Sequence, residues 1–126
     1  MTGKLLYEYA VIRIVPRVER QEFLNAGILL YCKDRKFLGC KWDINEKKLA
    51  CFDVEDTAVI YQHLKTVEDI SAGQCHNHPI NPLGIAERFR WLTAARSTVI
   101  QTSKVHIGFT ADPQTELEKL FEFYAG

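Results

Sequence analysis

The sequence predicts an α+β fold: an antiparallel sheet built on an N-terminal meander, with two to three helices packed on it. Two observations carry this. Up to Phe52 the chain is a series of β-branched and aromatic runs separated by short charged segments. Beyond it, apolar residues recur at helical spacing behind acidic capping residues. An antiparallel meander with helices packed on it is an α+β architecture, not an alternating α/β one.

LYEYAVIRIV, residues 6 to 15, reads as a strand that stops where Pro16 removes a ladder donor. After a charged connection, EFLNAGILLYC, residues 22 to 32, makes a second strand whose nearly continuous apolar latter half predicts burial on both faces. Asn25 and Gly27 interrupt it, and a bulge or a close backbone approach is the usual reason for such a glycine. KDRK is then a turn, KFLGCKW a third strand, NEKK another turn and LACF a short fourth strand. Asp53 caps a helix over 53 to 70, with apolar residues at 57/58, 60/61, 64 and 67. SAGQCHNHPINPLG, rich in Pro and Gly, is a loop. IAERFRWLTAA returns to helical spacing with Ile85, Phe89 and Leu92 on one face, and STVIQ and VHIGF read as two strands forming a hairpin at Thr102-Ser103. Asp112-Pro113 opens a last helix with Leu117, Leu120, Phe121 and Tyr124 as its buried stripe.

The 126 residues, 47% hydrophobic and 25% charged, suffice for one core, so residues 1 to 126 form a single domain. Sixteen basic residues balance sixteen acidic ones. No whole-molecule field then draws the protein to nucleic acid or to an anionic membrane, and any anion site must be local. The N-terminal apolar run is broken by Glu8 and Arg13, too charged for a span or a signal segment, and a cytoplasmic protein is expected. Cys32, Cys40, Cys51 and Cys75 form no CxxC pair, and the first three sit in strand-like runs as small hydrophobes, so reduced thiols are expected.

The densest chemistry lies in RFRWLTAARSTVIQTSKVHIG, residues 88 to 108. Arg88 falls beside the apolar stripe of its helix and Arg96 at the helix end, where two planar forks could hold a carboxylate or phosphate or could simply cover the core margin. A hairpin at Thr102-Ser103 would put Ser97, Val99 and Gln101 on one face with Lys104 and His106. Cys75, His76 and His78, with His63 on the preceding helix, offer thiolate and imidazole groups but no paired four-ligand pattern, so no metal is expected. No nucleophile elbow, phosphate loop, zinc-protease or paired-carboxylate motif is legible, and no cofactor is expected.

YEYAVIRIVPRVERQEFLNAGILLYC together with RFRWLTAARSTVIQTSKVHIGF resembles the bacterial family named domain of unknown function 3037. The positions that match its pattern are Asn25, Gly27, Arg88, Phe89, Trp91, Arg96, Ser97, Thr98, Gln101, His106 and Gly108; the CHNH loop is not among them. The resemblance implies a small cytoplasmic bacterial protein with no certified catalytic residues, often encoded beside a HipA-like kinase protein.

The first expectation is therefore a non-catalytic binding or accessory module acting with a protein partner, a HipA-like kinase among the candidates. Its binding surface would hold Arg88, Trp91, Arg96, Ser97, Thr98, Gln101 and His106. The alternative is an enzyme or binder acting on a phosphorylated or nucleotide ligand, with Arg88 and Arg96 as clamps and His106 as general acid or base. Nucleic acid is disfavoured by the neutral charge.

Overall fold

The computed structural model describes residues 4 to 126 except 53, 55, 75–78, 81 and 97, and of residue 18 only the backbone. The first strand, β1 (Leu5–Ile14), pairs antiparallel with β2 (Leu24–Cys32), and β2 with β3 (Phe37–Trp42). This is the expected meander. Alternation along β1 sends Tyr7 and Val11 to one face of the sheet and Ile12 and Ile14 to the other.

Both faces are covered. The helices α2 (Thr57–Ala72) and α3 (Ile85–Leu92) lie on the Ile12 side, where Ile60, Leu64, Phe89 and Leu92 join Leu29 and Tyr31 of β2. On the Val11 side α4 (Pro113–Ala125) lays Leu117 and Phe121 against Ile28, Leu30 and Cys32. Seven consecutive residues of β2, Ala26 to Cys32, are buried, as the apolar run predicts.

Gly27 answers to both expected causes. Ile12 pairs with Gly27 but Arg13 with Asn25, so Ala26 is an extra residue, a bulge in β2. The bulge switches the alternation, which is why Leu24 and Ala26 share a core with Leu29 and Tyr31. A Cβ on Gly27 would stand 2.4 Å from the Lys41 carbonyl oxygen and 2.7 Å from Cβ of Trp42, so the neighbouring strand can approach only a glycine.

Three expectations need correction. NEKK and LACF are not a turn and a strand: residues Glu46–Ala50 form a short helix, α1, because the Asn45 side chain accepts the Lys48 amide and only Leu49 turns inward. Cys51 is accordingly exposed, not a strand residue. The long helix α2 begins four residues late, at Thr57, since Asp56 rather than Asp53 is the cap; its carboxylate accepts the Ala58 amide at 3.1 Å.

The hairpin at Thr102-Ser103 does not form. Strands β4 (Ile100–Thr102) and β5 (His106–Thr110) lie end to end along the same side of β1, β4 against Ile12 to Ile14 and β5 against Leu5 to Tyr9. The segment lacks the glycine or asparagine of a two-residue turn. Ser103 instead builds a bulge: its amide donates to the Val11 carbonyl and its buried hydroxyl accepts the Val11 amide, both at 2.9 Å. A side chain replaces one ladder acceptor and the strand continues past the defect.

Gly27→Ala is expected to lose about 2–3 kcal/mol in urea unfolding through overpacking. Gly84→Ala, where an added Cβ meets nothing within 4 Å, should stay within about 0.5 kcal/mol. Thiol reactivity should follow environment. Burial, reinforced by the charge of Glu68, pushes the Cys40 thiol up to about 12, leaving little thiolate at pH 8. Exposed Cys51 should react with a thiol reagent at once, and Cys40 only as the protein unfolds.

Candidate functional site

The opening between α2, the end of α3 and β4 is a cleft of about 400 Å³. Its floor is apolar, made by Ile12 of β1, Ile100 of β4, Leu92 of α3, and Val67 and Ile70 of α2. Around the rim stand Gln62, His63 and Thr66 from α2, Trp91 and Arg96 from the α3 end, and Thr98, Gln101 and Thr102 from the strand segment. A concave apolar floor with a few polar groups at the mouth is the usual form of a binding site.

Arg96 holds this rim together. Its guanidinium donates to the carbonyl oxygens of Leu92, at 3.3 Å, and of Trp91, which at the end of α3 also takes a long 3.4 Å bond from the Ala94 amide. The same group lies 4.2 Å above the Trp91 ring, a cation–π contact that presents the indole at the mouth, 37% exposed. Desolvation lowers the Arg96 pKa from its ordinary value, which for an arginine leaves the charge in place.

The strand side is tied in the same manner. Thr98 donates its hydroxyl to the Ile100 carbonyl at 2.6 Å, and Gln101 donates its amide to the Thr98 carbonyl at 2.9 Å. Thr66 donates to the Gln62 carbonyl within α2. These polar side chains spend donors on their own backbone, so their first effect is to shape the mouth.

Four of the seven sequence-predicted residues, Trp91, Arg96, Thr98 and Gln101, thus line one cleft. Arg88 does not. Its guanidinium donates to the Leu83 carbonyl at 2.6 Å and stands close to Gly73, the left-handed residue that ends α2, so it clamps the inter-helix segment against α3. His106 is separated as well. It pairs with Tyr9 on the α4 side of the sheet, ring centroids 5.2 Å apart, and the Tyr9 hydroxyl meets that of Tyr124 at 3.0 Å. Burial first, and then that hydrogen bond, raise the Tyr9 pKa. Ser97 lies outside the described residues, as do Cys75, His76 and His78. Among the described residues no three His, Cys, Asp or Glu side chains gather as metal ligands.

Sequence reasoning missed the α2 wall. Gln62, Thr66 and Ile70 recur at four-residue steps, and His63 and Val67 do the same beside them, so a second, mixed face next to the buried Ile60/Leu64 stripe was available to a helical reading. His63 entered only as a metal ligand.

A family model described as protein of unknown function (DUF3037) matches residues 9–125, and the chain belongs to that family. No curated protein and no solved structure matches it. Among the described residues no helix is long and apolar enough to cross a membrane.

Replacing Arg96 tests its role at the end of α3. Arg96→Ala should lose about 1–3 kcal/mol, the range for charged hydrogen bonds, and increase Trp91 solvent exposure as read by fluorescence quenching. Arg96→Lys should recover only part of both, because a point charge cannot fork two carbonyls and stack on the ring together.

Proposed function

For this member of the DUF3037 family we propose a non-catalytic binding module that engages a protein partner through the cleft between α2, α3 and β4. The observation that carries the reading is the composition of that cleft: an apolar floor of Ile12, Val67, Ile70, Leu92 and Ile100 beneath a mouth framed by Trp91 and Arg96. Such a site takes an apolar side chain from the partner, with the indole and guanidinium packing around it as interface anchors do. A HipA-like kinase in the cytoplasm is the first partner to try, on the strength of the genomic neighbourhood alone.

A phosphorylated or nucleotide ligand fits the same residues less well. The Arg96 donors are engaged by backbone carbonyls, Arg88 clamps the segment before α3, and His106 stands across the sheet. The clamp and the general acid–base group of that alternative therefore do not converge.

Two side chains test the reading. Against the purified kinase-like partner in a calorimetric titration, Trp91→Ala should weaken binding tenfold or more, about 1.4 kcal/mol. Thr66→Arg, which fills the cleft from its α2 wall, should abolish it while circular dichroism stays unchanged. Stabilisation of the wild type by phosphate or nucleotide, with no heat from the partner, would transfer the cleft to the ligand alternative.

A further inference from the structure

The largest exposed apolar residues on the sheet lie away from the cleft, on β5 and its neighbour. Ile107 is 69% exposed, Phe109 65% and Leu6 46%. Leu6 pairs with Phe109 and Glu8 with Ile107, so all four side chains stand on the α2/α3 face of the sheet, in a part those helices leave open. The ion pair between Arg90 of α3 and Glu8, 3.1 Å, marks the border.

The edge beside this patch is also open. Among the described residues β5 pairs with β1 alone. Its sequence, His-Ile-Gly-Phe-Thr, contains no lysine, glutamate or proline of the kind that blunts an edge strand. The opposite edge of the sheet, β3, carries Lys41, whose ammonium lies over the Phe121 ring of α4 at 5.0 Å.

We propose that β5 is a homodimer interface, in which the β5 strands of two copies pair antiparallel about a twofold axis at Gly108. The polarity of the strand is symmetric about that glycine. Positions equidistant from it become partners across the axis, so Ile107 of each copy meets Phe109 of the other and His106 meets Thr110. The two Leu6 side chains, behind Phe109 in each copy, extend the joined apolar surface.

The same register carries charge complementarity. Beyond the two ends of β5, Lys104 stands four residues before Gly108 and Asp112 four after it, so each copy brings its ammonium toward the end where the other carries Asp112, whose carboxylate also caps α4. The chain has no net charge to oppose association. An unrelated peptide could satisfy the open backbone of β5, but only a second copy answers both the Ile/Phe and the Lys/Asp pattern by symmetry.

The register gives a test that an unspecific hydrophobic contact would fail. Light scattering on the full chain, through a dilution series, should give twice the monomer mass at the upper concentrations. Ile107→Lys and Phe109→Glu should each be monomeric, with unchanged circular dichroism because both positions are exposed. Mixed in equal amounts they should recombine, since the heterodimer sets the introduced lysine of one variant against the introduced glutamate of the other, and an intact Phe109 against an intact Ile107. A wild type that stays monomeric, single variants that remain dimeric, or a mixture that does not recombine would each overturn the proposal.

Discussion

The strand β2 and the second half of β1, from Ala10 to Ile14, are packed on both faces, and the rest of the structure is arranged around the requirement that their backbone groups be paired. A buried ladder cannot leave an amide or carbonyl to water. The β1 strand is ten residues long and β4 and β5 together supply its second side, so one continuous edge with a single defect serves where two separate strands would leave a gap. Ser103 fills that gap with a hydroxyl. Gly27 does the corresponding service on the other side, admitting β3 to a distance that a Cβ would forbid.

Those two accommodations also set where chemistry can gather. Because the Ser103 bulge puts one extra residue between β4 and β5, alternation carries His106 to the Tyr9 face, while the cleft opens beside Ile12 on the opposite one. A hairpin would have folded the polar residues of 97 to 106 onto a common face. The end-to-end arrangement instead gives Gln101 and Thr98 to the α3 end and His106 to the aromatic cluster with Tyr9 and Tyr124.

Local pattern made the meander, the last helix and the bulge at Gly27 legible, because each rests on contacts close in sequence or on burial strong enough to dominate composition. The β2 run is apolar at every position from Ala26 to Cys32 save Gly27, and Asp112-Pro113 caps α4 with the Asp112 carboxylate on the Gln114 amide. Where two local signals competed, the reading failed. LACF has strand composition, but the Asn45 cap and three good helix formers, Glu46, Lys47 and Lys48, precede it and decide for a helix turn. The candidate site was legible only in part for a different reason. Trp91 and Arg96 lie on one short segment and could be read together, whereas Gln62, His63 and Thr66 reach the cleft through tertiary packing of α2, about which spacing in the chain says nothing.

The β5 edge and the cleft flank the same short helix. Arg90 of α3 faces the edge strand through Glu8, and Trp91, its neighbour in sequence, stands at the cleft mouth under Arg96. Antiparallel pairing of two β5 edges has its twofold axis perpendicular to the sheet, which keeps the α2/α3 layer of both copies on one side. Two clefts would then open in the same direction from a single sheet that joins the five strands of each copy. A partner presenting two apolar anchors could engage both, and the second contact would be made at the high effective concentration that a rigid sheet imposes, multiplying a modest single-site affinity without adding any contact within either cleft. The small size of the cleft is therefore no bar to a tight complex, provided the spacing of the anchors matches the separation that the sheet fixes.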